Sequence, residues 1–299
     1  MHRLLPVLAA LVTVVTACSG GDEQREAGGP RSTSTSTTVA TTSTTAAPPA
    51  PTTTMGPSGV TTLPTGDPVS VASTLARTES AIREPGTATS ALEGLGVAQQ
   101  AAYRQLAEHP EWMEEVLARV PGHLHGTVRA NTLAGRELRA LTKPRTDLPP
   151  WRIVAPAPAE ELLGYYKEAE SRSGVPWEYL ASIHLVETRM GRIRGTSVAG
   201  AQGPMQFLPS TWKIYGEGDI NSNRDAILAA ARLLDRNGAP DNMANALFSY
   251  NRSQRYVRAV TAYAEQMRQN ERAYLGYYHW QVYYRMVDGD RLLPVGYSR

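Results

Sequence analysis

The sequence predicts a mainly α-helical protein, in which a helical module and a helical domain closed by a small C-terminal β-hairpin follow a disordered leader. Three observations point there. Apolar residues recur at three- and four-residue spacing from about residue 71 to 270, prolines and glycines punctuate that pattern, and a Ser/Thr/Pro-rich stretch precedes it. With 299 residues and 41% hydrophobic composition the chain can build a sizeable core. A formal charge of +2 and the lack of any basic run argue against nucleic acid as a partner.

The N-terminus reads as an export signal. His2 and Arg3 precede "LLPVLAALVTVV", about a dozen apolar residues, too short to span a bilayer and the size of a secretory core segment. The one cysteine, Cys18, follows small residues in "VTAC", which resembles a bacterial lipoprotein signal in which the Cys becomes the lipidated first residue. On that reading residues 1–18 are a signal ending at lipidated Cys18, and the mature protein is held at the outer face of the plasma membrane. Residues 19–70 are dominated by Thr, Ser, Pro, Ala and Gly, too poor in large apolar groups to offset chain entropy. They are expected to be a disordered tether, averaging roughly 40 Å end to end as a flexible coil.

Residues 71–148 read as a helical module, with Pro110 in a first-turn position and Lys143-Pro144 closing the last helix. His123 and His125 stand two apart, on different faces of a helix, and cannot readily share a metal. The prolines of "RTDLPPWRIVAPAPAEE" mark a boundary, so 150–299 is expected to be a second, separable domain. Within it, Ser222 with Asp225 suggests a capping box and Gly238 a helix end. Asp288-Gly289, amid aromatic and β-branched residues, suggests the turn of the closing hairpin.

Glu187, in "VETRMGRIRG", is the residue that calls for chemistry. Wound at 100° per residue, Pro176 to Gly191 places Glu178, Ser182 and Arg189 together as a wet side, with Glu187 roughly opposite, between Leu180 and Ile183. A carboxylate on a buried face is costly unless paired or protonated. Desolvation would lift its pKa from about 4.3 toward 6 or higher, which suits a general acid with an activity limb near pH 6. The helix alone equally allows a core Glu satisfied by a distant Arg. His184 three residues earlier reads as a satisfied core histidine, since no second such pair and no HExxH occurs.

The loop that follows brings Gly195, Gly200 and Gly203 close behind the acid, and it lacks the GK[ST] of a phosphate loop. Gln206, and farther on Tyr250 and Asn251 of "SYN", supply amides and a hydroxyl of the kind that bind sugars. Taken in order, "ETRMGRIRG", "SVAGAQGPMQFLPSTW" and "ALFSYNRSQRYVRAV" resemble the lytic transglycosylase catalytic domain, a lysozyme-like fold that cuts peptidoglycan. The likeness is nearest to the membrane-bound type B enzymes and covers roughly residues 155–270.

That resemblance implies Glu187 as sole catalytic acid/base, with Ser197, Met205 and Gln206 along the glycan cleft and Tyr250 with Asn251 completing it. Arg252 stands where a smaller residue or Pro is more usual. The implied reaction cleaves the MurNAc–GlcNAc bond, forms 1,6-anhydro-MurNAc, and needs no metal or cofactor. Implied partners are peptidoglycan glycan strands, the membrane through the lipid anchor, and unspecified proteins of cell-wall synthesis or division. A hydrolytic muramidase of the same fold and a non-catalytic peptidoglycan-binding lipoprotein remain as alternatives.

Overall fold

The structure, a computed structural model, describes residues 61–62 and 66–299. The signal segment, Cys18 and most of the Ser/Thr/Pro-rich stretch lie outside these residues. The described chain is mainly α-helical. Strand β1 is Thr61–Thr62, and helices α1 (Pro68–Arg83), α2 (Thr89–Glu108), α3 (Met113–Leu117) and α4 (His125–Leu141) make up the first half. Then come β2 (Arg152–Ile153), α5 (Ala159–Ser173), α6 (Trp177–Thr188) and β3 (Ile193–Arg194). The rest is α7 (Pro209–Tyr215), α8 (Asn223–Arg236), α9 (Met243–Tyr250), α10 (Gln254–Gln269), α11 (Ala273–Tyr278), β4 (Val282–Met286) and β5 (Gly289–Leu293). Among the described residues no helix is long and apolar enough to cross a membrane.

Local chemistry sets most of these boundaries. Asp67 caps α1 by accepting from the amides of Val69 and Ser70, and Gly174 ends α5 at φ 73°. Ser222 caps α8 by accepting from the Asp225 amide. Asp225 does not return the bond as a capping box would; its Oδ2 accepts from the Asp219 amide instead. The hairpin forms where expected but one residue earlier: Met286 pairs with Gly289, leaving Val287 and Asp288 as the turn. Thr61 and Thr62, assigned from composition to the disordered stretch, pair with Leu292 and Arg291 as a third antiparallel strand. Backbone pairing needs no apolar side chain, so composition could not signal it.

One hydrophobic cluster joins both halves of the sequence, uniting Leu75, Leu106 and Val128 with Leu180, Ile183 and Val260. Helix α10 lies against α4, where Glu137 pairs with Arg255 (2.9 Å) and Arg258 (3.1 Å). The proline-rich stretch between the halves is itself bound. Arg145 exchanges backbone hydrogen bonds with Arg285 and Val287, Ile153 N–H donates to Tyr297 O, and Tyr297 OH donates to Pro149 O. A second cluster of Trp151, Ile153, Val282, Tyr284, Leu293 and Tyr297 seals it to the C-terminal sheet.

Candidate active site

Helix α6 runs through the middle of this packing, so it has no wet side. Ser182 is fully buried and Glu178 is half-buried. Arg189 lies beyond the helix end, in the left-handed region at φ 54°. The expected solvent face of Glu178, Ser182 and Arg189 is therefore corrected. Neighbouring helices α5, α8, α10 and α11 cover the surface that a lone helical wheel leaves open. Glu187 is buried all the same, with 5% exposure.

Two other groups fix the end of α6. Thr188 Oγ1 donates to Pro204 O at 2.6 Å and accepts from Gly191 N–H at 3.1 Å, tying the glycine-rich loop to the helix. His184 is fully buried, and its Nδ1 hydrogen-bonds Tyr166 OH at 2.7 Å; burial pushes its pKa down to about 3, so it stays neutral. Among the described residues no group of three or more His, Cys, Asp or Glu side chains could hold a metal.

The loop is held by its own polar groups. Ser197 exchanges bonds with Ala201 through its amide and hydroxyl, each at 2.9 Å. Gln206 sits at φ 51° and donates its side-chain amide to Gly203 O at 3.0 Å. Gly203 adopts φ 73°, and a Cβ there would lie 2.0 Å from Ile220 O, so only glycine fits. Met205 is fully buried, and its carbonyl accepts from Tyr250 OH at 2.6 Å.

From Tyr250 the contacts lead back to the acid. Its ring stacks on Tyr256, with centroids 6.4 Å apart and planes 4° from parallel. Tyr256 OH donates to Glu187 Oε1 at 2.8 Å. Burial keeps the Tyr256 phenol protonated, with the Glu187 charge adding to the effect, so it stays a donor. Tyr256 was not singled out from the sequence; spacing with Val260 and Tyr263 marks it as inward-facing, and nothing local says toward what. Its position is set by Ser253, which caps α10 by accepting from the Tyr256 amide.

Burial pushes the Glu187 carboxyl up to about 8, within the rise to 6 or higher expected from the sequence, and the Tyr256 hydrogen bond opposes this only in part. Among the described residues no Arg or Lys pairs with it and none hydrogen-bonds Oε2. A cavity of about 170 Å³ reaches Glu187, and no other acid among the described residues lines it. Gln206 and Tyr250 line a separate crevice of about 10 Å³; Ser197, Met205 and Asn251 line neither. Asn251 is buried at the end of α9, and its Nδ2 has no partner.

Residues 164–273 match the family model of the transglycosylase SLT domain. The membrane-bound lytic murein transglycosylase F of Thiobacillus denitrificans (strain ATCC 25259 / T1) is 31% identical over 105 residues, covering 32% of this chain and 22% of that protein. The chain thus spans about a fifth of that relative's length. No solved structure gives a significant match. The segment holding Glu187, the glycine-rich loop and the Tyr250-Asn251 pair is therefore similar to the transglycosylase SLT domain.

Proposed function

We propose that the chain is a peptidoglycan lytic transglycosylase, acting in cell-wall turnover or remodelling, with Glu187 as its acid/base. The observation that carries this reading is the state of the Glu187 carboxyl: buried, held protonated to about pH 8, and bonded among the described residues at one oxygen. Such a group has a proton to give and a free oxygen from which to give it.

In the proposed reaction Glu187 protonates the glycosidic oxygen between MurNAc and GlcNAc as the bond to the anomeric carbon breaks. The carboxylate so formed, steadied by Tyr256 OH, accepts the proton of the MurNAc C6 hydroxyl. That oxygen bonds to the anomeric carbon, closing a 1,6-anhydro ring, and no water is consumed. Hydrolytic glycosidases place a second carboxylate about 5 to 9.5 Å from the first. The lack of another acid on the cavity wall favours attack by the sugar's own hydroxyl over hydrolysis. Ser197, Met205, Gln206, Tyr250 and Asn251 are proposed to border the glycan. The type B assignment and the lipid anchor at Cys18 belong to the same reading.

Mass spectrometry of digested sacculi tests it. The expected muropeptides end in anhydro-MurNAc and are one water lighter than muramidase products. Glu187→Gln removes both donor and base, so turnover is expected to fall at least a hundredfold. Reducing-end MurNAc as the main product would make the enzyme a hydrolase, and a fully active Glu187→Gln would remove the acid/base role.

A further inference from the structure

The cavity that reaches Glu187 is walled mostly by residues outside 164–273: by α2 and α4, the stretch before β2, and β4. Its charge is one-sided. Arg104, Arg139, Lys143, Arg145, Arg189 and Arg285 line it, against Glu187 as the sole acid on its wall. Two nearby carboxylates offset part of this: Asp290 pairs with Arg104 and with Arg139 (2.7 Å), and Glu108 pairs with Arg139 (2.6 Å). Arg285 donates to the carbonyls of Arg139 and Thr142 at 2.8 and 2.6 Å.

Arg189 is different. Among the described residues no carboxylate lies within ion-pair distance of it, and its guanidinium donates back to Leu185 O of its own helix, at 2.6 Å. Burial, opposed by Tyr263 and aided by neighbouring Arg104 and Arg192, pushes its pKa down to about 10. Its backbone also bears strain, since Arg189 and Met190 both hold positive φ, 54° and 57°, a region that non-glycine residues seldom adopt. A guanidinium set into a cation-lined cavity without a counter-charge is costly unless a ligand supplies one.

We propose that this cavity is an acidic-peptide site, which receives carboxylates of the peptide stem borne by the glycan strand while the sugar lies at Glu187. The proposal rests on the peptidoglycan reading above. Arginine forks match planar carboxylates in a bidentate way. Apolar surface from Ala107, Leu138 and Val186 beside the cations suits peptide carbon and would add nothing for a bare inorganic anion. Elements outside the SLT-like segment thereby give the enzyme a reason to prefer peptide-bearing strands.

Trp151 and Trp280 line the cavity, so tryptophan fluorescence of the full chain can follow binding. The probe is the dipeptide L-Ala–γ-D-Glu. Saturable binding is expected, weaker by about tenfold or more for the dipeptide with both carboxylates amidated, and likewise for Arg189→Gln. If Arg189→Gln does not fold, Lys143→Gln on the exposed rim is expected to weaken binding severalfold. No saturable signal, equal binding of the amidated dipeptide, or displacement by inorganic phosphate at equal concentration would overturn the site. A peptide-free chitooligosaccharide titrated into the same chain tests the glycan reading separately. Binding of sugar without dipeptide removes only the peptide site, whereas dipeptide without sugar removes the peptidoglycan stem as its source.

Discussion

Three glutamates are buried on helices among the described residues, and two of them, Glu79 and Glu137, are paired with arginines. Glu79 on α1 is met by Arg83, by Tyr103 OH and by Gln99 Nε2 at 3.0 Å. It is the core glutamate satisfied by an arginine, the reading that the α6 sequence alone left open for Glu187. Glu187 has Tyr256 and no cation. The pH dependence follows from its raised pKa. The first proton transfer needs the acid form, which is full well below pH 8 and is lost as pH rises through about 8, so kcat should fall on that alkaline side. Tyr256 donates to the carboxyl and so favours its ionised form; without that bond the pKa moves up. Tyr256→Phe is therefore expected to shift the alkaline limb of the kcat profile to higher pH while lowering kcat by roughly tenfold. An unchanged limb would leave Tyr256 a packing residue.

The glycine-rich loop is the element on which the candidate cleft depends. Its hold on α6 is the Thr188–Pro204 bond, its hold on α9 is the Tyr250–Met205 bond, and its tightest turn passes Ile220 at Gly203. At Gly203 a methyl group meets a backbone carbonyl, which cannot swing aside as a flexible side chain can. Gly203→Ala is expected to cost more than about 2 kcal/mol in urea unfolding, through both the clash and the positive φ. Gly200 also has positive φ, at 84°, but a Cβ there would meet nothing within 4 Å. Gly200→Ala is the milder control, paying only for conformation. Equal losses at the two sites would show that close packing at Ile220 is not what Gly203 provides.

At the scale of the whole molecule, the proline-rich stretch divides the sequence without dividing the packing. A chain starting at Pro150 would expose the α4-facing side of α10, strand Arg255 and Arg258 without Glu137, and remove two walls of the cavity at Glu187. Its expected outcome is a broad, non-cooperative thermal transition by circular dichroism. A sharp transition would show 150–299 to be the self-sufficient unit that its bounding prolines suggest. Beyond the described residues, the proposed anchor makes a further prediction. Cys18→Ser should move the mature protein from the membrane fraction to the soluble one; unchanged fractionation would remove the lipid anchor from the proposal.

The sequence by itself determined the helical class, most helix ends and the closing hairpin, because each is written in local spacing and capping chemistry, and it carried three motifs whose order resembles a glycan-cutting domain. It also singled out Glu187, although by a helical wheel whose wet side does not exist: Ser182 is as buried as Ile183. Only the tertiary structure decided which buried glutamate is paired and which is left with a single phenol. Arg83 is an i+4 neighbour of Glu79 on its own helix, but the Gln99 and Tyr103 that complete its shell, and the Tyr256 that meets Glu187, come from 20 to 69 residues away. It likewise decided that Thr61–Thr62 extends the C-terminal sheet and that six scattered cations share one cavity. Neither leaves a trace in spacing, since both depend on residues that chain folding, not chain order, makes neighbours.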